Sequence, residues 1–260
     1  MEHTEQFTTT NGVRQRMFKG GAGDAALFMH GGAGLSVWTP FFDAMAQHVE
    51  LSVPEHPGFG QSDDPASLAS ISDLAYHYLD WFEAHMPPRF HLIANSIGGW
   101  MAAEAAIRDS SRLVSLTLIG PAGILPPGAP YEDSFAWDAE TSVRKLFHNQ
   151  AIADRALSAT PTEAQKAINA KNKATVAKLG QATRLHNPDL PKWLHRIKCP
   201  TLVVWGENDA LMPASFARSW VDALPRAEVS LIAHAGHLPH AEEAGATAAV
   251  VREFISRSRA

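Results

Sequence analysis

Only one cysteine, Cys199, occurs in 260 residues, so no intramolecular disulfide can form and the chain fits a reducing compartment. Pro200 and an apolar run follow it directly, which reads as a small buried residue ahead of a strand rather than a reactive thiol. Positive charge is not in excess either. Lys and Arg number 22 against 27 Asp and Glu, for a formal net charge of -5, and no Lys/Arg cluster is dense enough to track a phosphate backbone. Nucleic acid is therefore not an expected partner. No stretch approaches the roughly 20 apolar residues that span a bilayer, and Met1 to Thr10 lacks the basic start and apolar run of a secretory leader. The expectation is a cytoplasmic protein with no membrane contact. Internal repeats and low-complexity tracts are absent.

What is present is enough apolar material for one sizeable core. At 45% hydrophobic content, a chain of this length buries roughly three quarters of the surface it exposes unfolded. Short continuous apolar runs recur, each ending in a glycine-rich or polar turn, as strands buried on both faces of a parallel sheet do. The clearest are Ala25 to Met29, Phe90 to Ala94, Leu113 to Ile119 and Thr201 to Trp205. Helical spacing lies between them, as in Leu74, Tyr78, Phe82 and Met86 behind the possible caps Ser72 and Asp73. The alternation predicts an α/β, doubly wound sheet. Asn11-Gly12, between Glu5 to Thr10 and Arg14 to Lys19, predicts an antiparallel edge hairpin. Strand spacing stops after Gly120 and resumes at Thr201. Residues 121–187 read as a helical insertion over a core domain made of 1–120 and 188–260.

Chemistry-bearing residues fall at the ends of the strand runs. Phe90 to Trp100 reads as strand, sharp turn and helix with Ser96 at the apex, the arrangement that exposes a hydroxyl beside a helix N-terminus. The usual G-x-S-x-G has Ala94 as its first position here, and taken alone Ser96 could equally be a helix cap. After Ala25 to Met29 comes His30-Gly31-Gly32-Ala33-Gly34, which brings backbone N–H groups close to a ligand. Gly32 and Ile97 are the expected oxyanion donors, with His30 holding the loop. A dinucleotide turn is the alternative, but neither Gly32-Ala33-Gly34 nor Gly58-Phe59-Gly60 continues to a third glycine at the required offset. Asp209 stands where the strand Thr201 to Trp205 opens into Gly206-Glu207-Asn208-Asp209, as orienting acid or as turn cap. His237, freed by Gly236 after the strand Glu228 to Ile232, is the expected base. His234, His237 and His240 have a spacing that raises a metal site, but Pro239 interrupts their alignment and no carboxylate or thiol cluster accompanies them. No metal and no cofactor are expected. Trp38, Phe41, Phe135 and Trp137 are candidate substrate contacts or, alternatively, core.

Together, His30-Gly31-Gly32, Pro57-Gly58-Phe59-Gly60-Gln61-Ser62, Asn95-Ser96-Ile97-Gly98-Gly99, Gly206-Glu207-Asn208-Asp209 and Gly236-His237 resemble the α/β-hydrolase superfamily over nearly the whole chain. The order Ser96, Asp209, His237 is that family's order. The resemblance implies an eight-stranded, mainly parallel sheet with a helical cap, a Ser-His-Asp triad and a small-molecule substrate. Glu55 stands where the family usually has Asp, at a structural turn. A serine nucleophile argues against dehalogenases and the usual epoxide hydrolases, which use aspartate. Asn95-Ser96 with Gly98-Gly99, and Gly120-Pro121-Ala122-Gly123, are similar to the meta-cleavage product hydrolases, which split carbon-carbon bonds; Arg184 would there anchor a substrate carboxylate. That branch commonly has tryptophan where this chain has Leu238, itself a candidate substrate contact, and glycine where it has Ala94. Hydrolysis of a small to medium apolar ester is the first expectation, carbon-carbon hydrolysis the second, and a triad-retaining receptor or lyase the third.

Overall fold

The computed structural model describes residues 2–129 and 132–258. Asn11 and Gly12 take φ of 49° and 79°, the two consecutive left-handed residues of a tight hairpin turn, and join β1 (His3–Thr10) to antiparallel β2 (Val13–Gly20). Next come β3 (Asp24–Met29), α1 (Pro40–Ala46) and β4 (Val49–Pro54), then α2 (Ile71–His85), β5 (Phe90–Asn95), α3 (Ile97–Arg108) and β6 (Leu113–Ile119). A helical segment intervenes: α4 (Ala139–Leu146), α5 (Gln150–Ser158), α6 (Glu163–Gly180) and α7 (Leu190–Trp193). The chain then closes with β7 (Thr201–Gly206), α8 (Phe216–Ala223), β8 (Ala227–Ile232), α9 (Pro239–Glu242) and α10 (Ala244–Arg257).

The strands form one eight-stranded sheet in the order β1-β2-β4-β3-β5-β6-β7-β8, parallel from β4 onward. Every residue of β5 and β7 is buried, which is why both read as mainly apolar runs; the one internal polar residue, His91, is bonded to Ser115 Oγ at 2.8 Å. β4 and the seven-residue α1 gave no comparable signal. Glu50 and Ser52 interrupt the strand, and α1 is too short to display a periodicity. Apolar residues of α1 and α10 cover one face of the sheet, while those of α2, α3 and α8 cover the other.

The cap of α2 differs from the expected Ser72 and Asp73. Ser70 is the N-cap: its hydroxyl accepts the Asp73 N–H at 3.1 Å while the Asp73 carboxylate accepts the Ser70 N–H at 2.9 Å, a reciprocal capping box. Ser72 lies inside the first turn and its hydroxyl instead accepts from Arg108 at 2.8 Å. Among the described residues, no helix is long and apolar enough to cross a membrane.

The topology reverses between β3 and β5: from β3 the chain moves outward to β4, and from β5 it moves the other way to β6. Such a reversal opens a crevice at the carboxyl ends of the two strands. Met29 pairs with Ala94 across it, so the residues that follow each strand, 30–34 and 95–97, emerge side by side.

Candidate active site

Ser96 sits between β5 and α3 with φ 53° and ψ -121°, a conformation an L-residue adopts only under strain of about 1–3 kcal/mol. The surroundings hold it there. Its N–H donates to Ile119 O at 3.0 Å, and its carbonyl accepts from Trp100 N–H at 3.1 Å and Ala122 N–H at 3.0 Å. The side chain therefore projects at the crevice, half-buried.

His237 has to come from β8, three strands away from β5, a distance of roughly 14 Å at ordinary strand spacing. Its loop crosses directly over the end of β7. A Cβ on Gly206 would lie 2.0 Å from Gly236 O, so only glycine permits the crossing. The loop is fastened by Asn208 N–H to Ala235 O at 2.9 Å and by His237 N–H to Leu146 O at 3.0 Å. The imidazole thus arrives over the end of β6 and reaches Ser96: His237 Nε2 lies 3.0 Å from Ser96 Oγ and Nδ1 lies 2.8 Å from Asp209 Oδ2. His237 and Asp209 are buried, whereas Glu207 is exposed.

Asp209 holds its rotamer through its second oxygen, which accepts from Leu211 N–H at 2.9 Å and Met212 N–H at 2.8 Å. A carboxylate only accepts, so the His237 proton resides on Nδ1, and Nε2 presents its lone pair to the Ser96 hydroxyl.

The glycine loop after β3 is set by a chain of histidines. His56 N–H donates to His30 Nε2 at 2.9 Å, which leaves the His30 proton on Nδ1, 2.7 Å from Gly31 O. His56 in turn donates from Nε2 to His30 O at 2.8 Å and accepts the Tyr78 hydroxyl at 2.5 Å. A trans peptide is planar, so pinning Gly31 O fixes the Gly32 N–H in the opposite direction. Gly31 itself lies against the serine turn, where an added Cβ would be 3.2 Å from Ser96 Cβ. Neither the Gly32 N–H nor the Ile97 N–H has an acceptor among the described residues. Glu55 closes the neighbouring turn: buried, it pairs with Arg16 at 2.8 Å and accepts from Gln61 N–H at 2.7 Å and Ser62 N–H at 3.0 Å. Arg16 also donates to Leu35 O, just beyond the glycine loop.

Burial pushes the His30 pKa down to about 4, with Arg16 adding to the effect, and places His56 well below its ordinary value. Between about 4 and about 6.5 the unfolded chain binds a proton at His30 that the folded chain refuses, so stability falls as pH falls through that window. His30 alone contributes a loss of about 2 kcal/mol at pH 5. Urea unfolding midpoints measured at pH 7 and pH 5 are expected to drop accordingly; equal midpoints would contradict the neutral histidine chain.

The remaining expected residues are dispersed. Trp38 is placed away from the serine: its indole stacks on His3 at 4.7 Å, packs against Phe42 at 5.5 Å and donates to Asp43 at 2.7 Å. Phe41 lies wholly buried on the α1 face against Phe28. Phe41 is carried into the core by α1 folding back onto the sheet, whereas Trp38, ahead of α1 and half-buried, turns to the edge hairpin. Phe135 and Trp137 are half-buried ahead of α4, with Lys145 Nζ 5.4 Å from the Trp137 ring centre. Arg184 is exposed in the turn after α6, and Leu238 is half-buried at the start of α9. His240 packs on Phe28 and Phe41, apart from His237's contacts with Ser96 and Asp209. Cys199 is buried, and burial pushes its thiol up to about 11.

Contacts from the helical segment have no counterpart in the expected residues. Asn172 on α6 donates to Ala33 O at 3.0 Å and accepts from Gly60 N–H at 2.9 Å. Glu242 accepts Gly236 N–H at 2.5 Å and Asn149 N–H at 2.7 Å, tying the His237 loop to the start of α5. A signal for α6 existed: Asn172, Thr175, Val176 and Leu179 repeat at helical spacing, but two polar members in an Ala- and Lys-rich helix disguise the stripe.

Two relatives match nearly end to end. The 2-hydroxy-6-oxo-6-(2'-aminophenyl)hexa-2,4-dienoic acid hydrolase of Metapseudomonas resinovorans is 25% identical over 273 residues, covering 98% of this chain and 92% of its own. The pimeloyl-[acyl-carrier protein] methyl ester esterase of Nitrosomonas europaea is 28% identical over 249 residues, covering 89% of this chain and 91% of its own. In fold the chain is similar to a solved structure of a thermophilic esterase from Thermogutta terrifontis, with a TM-score of 0.77 and 21% identity, covering 100% of both chains. The alpha/beta hydrolase family matches residues 26–250, most of the chain and every strand-end loop of the site, and the protein belongs to that family.

Proposed function

We propose that the protein is a serine hydrolase that cleaves small to medium, largely apolar carboxylic esters through an acyl-enzyme. The observation that carries this reading is the unbroken relay from Ser96 Oγ through His237 to Asp209, at 3.0 and 2.8 Å, beside two N–H groups without acceptors. In the first half-reaction Ser96 Oγ attacks the ester carbonyl carbon while His237 Nε2 takes its proton, and Asp209 stabilises the imidazolium. The carbonyl oxygen becomes an oxyanion between the N–H groups of Gly32 and Ile97, each such donor being typically worth about 3–4 kcal/mol in the transition state. Collapse breaks the C–O bond, and the leaving alkoxide takes the proton from His237. Water, deprotonated by the same imidazole, then attacks the acyl carbon and releases the acid and Ser96.

Residues 121–187 act in this reading as a cap over the carboxyl edge of the sheet, with Phe135, Trp137 and Leu238 as candidate pocket residues. Carbon-carbon hydrolysis of a vinylogous diketone is the second reading, favoured by the dienoic acid hydrolase relative. Leu238 and the exposed Arg184 weigh against it.

A fluorophosphonate probe, followed by a panel of acyl and alkyl esters, lactones and a ring-fission dienone, tests the assignment. Rapid labelling confined to Ser96, with ester turnover exceeding dienone turnover, is expected. Dienone turnover exceeding every ester moves the assignment to carbon-carbon cleavage, and no labelling removes the nucleophile.

A further inference from the structure

We propose that Asn172, on α6, is a positioning residue for the oxyanion loop, so that the Gly31–Gly34 turn keeps its working geometry only while this amide is bonded to it. This rests on the hydrolase reading, because it assigns Asn172 a role through the Gly32 N–H. The turn is closed by Gly34 N–H to Gly31 O at 3.1 Å, and His30 anchors its first carbonyl at 2.7 Å. Its far side is held from the helical segment: Asn172 Nδ2 donates to Ala33 O at 3.0 Å, while Oδ1 takes Gly60 N–H at 2.9 Å from the loop after β4. The amide is 4% exposed and both its ends are bonded, so removing it leaves buried polar groups of two loops without partners. Gly34 has φ +82°, and a Cβ there would lie 2.3 Å from Asn172 Nδ2, so the loop is shaped around this amide.

A bland alternative is that Asn172 merely attaches α6. The other attachments separate the two readings. Thr175 Oγ1 donates to Gly58 O at 2.5 Å, Lys171 to Gly60 O at 3.0 Å and Ser62 O at 2.6 Å, and Lys178 pairs with Asp64 at 2.7 Å. All of these end on the 58–64 turn, whereas the Asn172 bond ends on the loop that carries Gly32. One helical turn further along, Val176 lies 2.9 Å from where a Gly32 Cβ would be.

The test compares Asn172→Leu with Thr175→Val in the full chain. It measures p-nitrophenyl ester kinetics, binding of an alkyl trifluoromethyl ketone that forms a tetrahedral adduct on the serine, thermal midpoints, and amide exchange of the segment 30–35. Asn172→Leu is expected to lower kcat and adduct affinity together, by about 10- to 100-fold, with KM within about threefold. Thr175→Val should lower the midpoint while leaving kcat within about threefold, since it loosens α6 without touching the loop. If Asn172→Leu does not fold, Asn172→Asp keeps the acceptor for Gly60 N–H, loses only the donor to Ala33 O, and should show the same joint loss. Unchanged kcat in the Asn172 variants, or an equal loss in Thr175→Val, overturns the proposal. Should the wild-type protein turn over no ester, the hydrolase reading fails by itself. The loop role is then read from exchange alone: about tenfold faster in the Asn172 variant only supports it, and equal rates reject it.

Discussion

Replacing Ser96 by alanine is expected to lower ester turnover about 10⁶-fold, the scale seen when the nucleophile of a serine hydrolase is removed. The effect is large because the proposed reaction has no alternative nucleophile: His237 is committed to Asp209 on one side and to the serine on the other. It should not arise from unfolding. The bonds that hold this turn, from Ile119 O, Trp100 N–H and Ala122 N–H, all involve the backbone of residue 96, and alanine retains them. Steady-state turnover measured beside a thermal midpoint checks both statements. A variant with more than about 1% of wild-type turnover at an unchanged midpoint would show that the reaction proceeds without this hydroxyl.

The second large effect comes from Asp209→Asn, expected to cost about 10⁴-fold in kcat with little change in KM. The local geometry decides why an isosteric change is so damaging. Oδ1 of residue 209 accepts two backbone N–H groups, from Leu211 and Met212, so an asparagine must place its carbonyl oxygen there. Its NH2 group then faces His237 Nδ1, which has to become an acceptor. The imidazole proton moves to Nε2 and points at Ser96 Oγ, where a lone pair is needed. The base is blocked while every heavy atom stays in place. A loss below about tenfold would mean that Asp209 does not set the tautomer.

Both effects depend on loops that the helical segment braces. The His237 loop is tied to it through Leu146 O and Glu242, and the glycine loop through Asn172. Loss of the Asn172 amide is therefore expected to reach the oxyanion side of the reaction before the base side, because its bond ends on Ala33 in the loop that carries Gly32.

Local chemistry was legible in the residues themselves. A two-residue hairpin turn with both residues left-handed strongly favours Asn-Gly, so the edge hairpin could be read at positions 11 and 12. Strands buried on both faces are mainly apolar, so β3, β5, β6 and β7 could be read, and the serine turn and the acidic and histidine loops could be placed at strand ends. Where the signal was short or broken it failed: β4 carries Glu50 and Ser52, α1 has seven residues, and the cap of α2 lies at Ser70 rather than two residues later.

Only the tertiary structure decided which residues meet. Ser96 and His237 are separated by 141 positions in the chain, and their 3.0 Å contact depends on a sheet order, a loop crossing over Gly206 and a carbonyl from Leu146. The same holds for Trp38, whose ring turned to the hairpin and α1, and for Asn172, a polar residue on an Ala- and Lys-rich helix that became the brace of a loop 139 positions away. Local conformational preference is written over a few neighbouring residues, whereas contacts between distant loops come from how the whole core packs, and no short pattern in the chain encodes that.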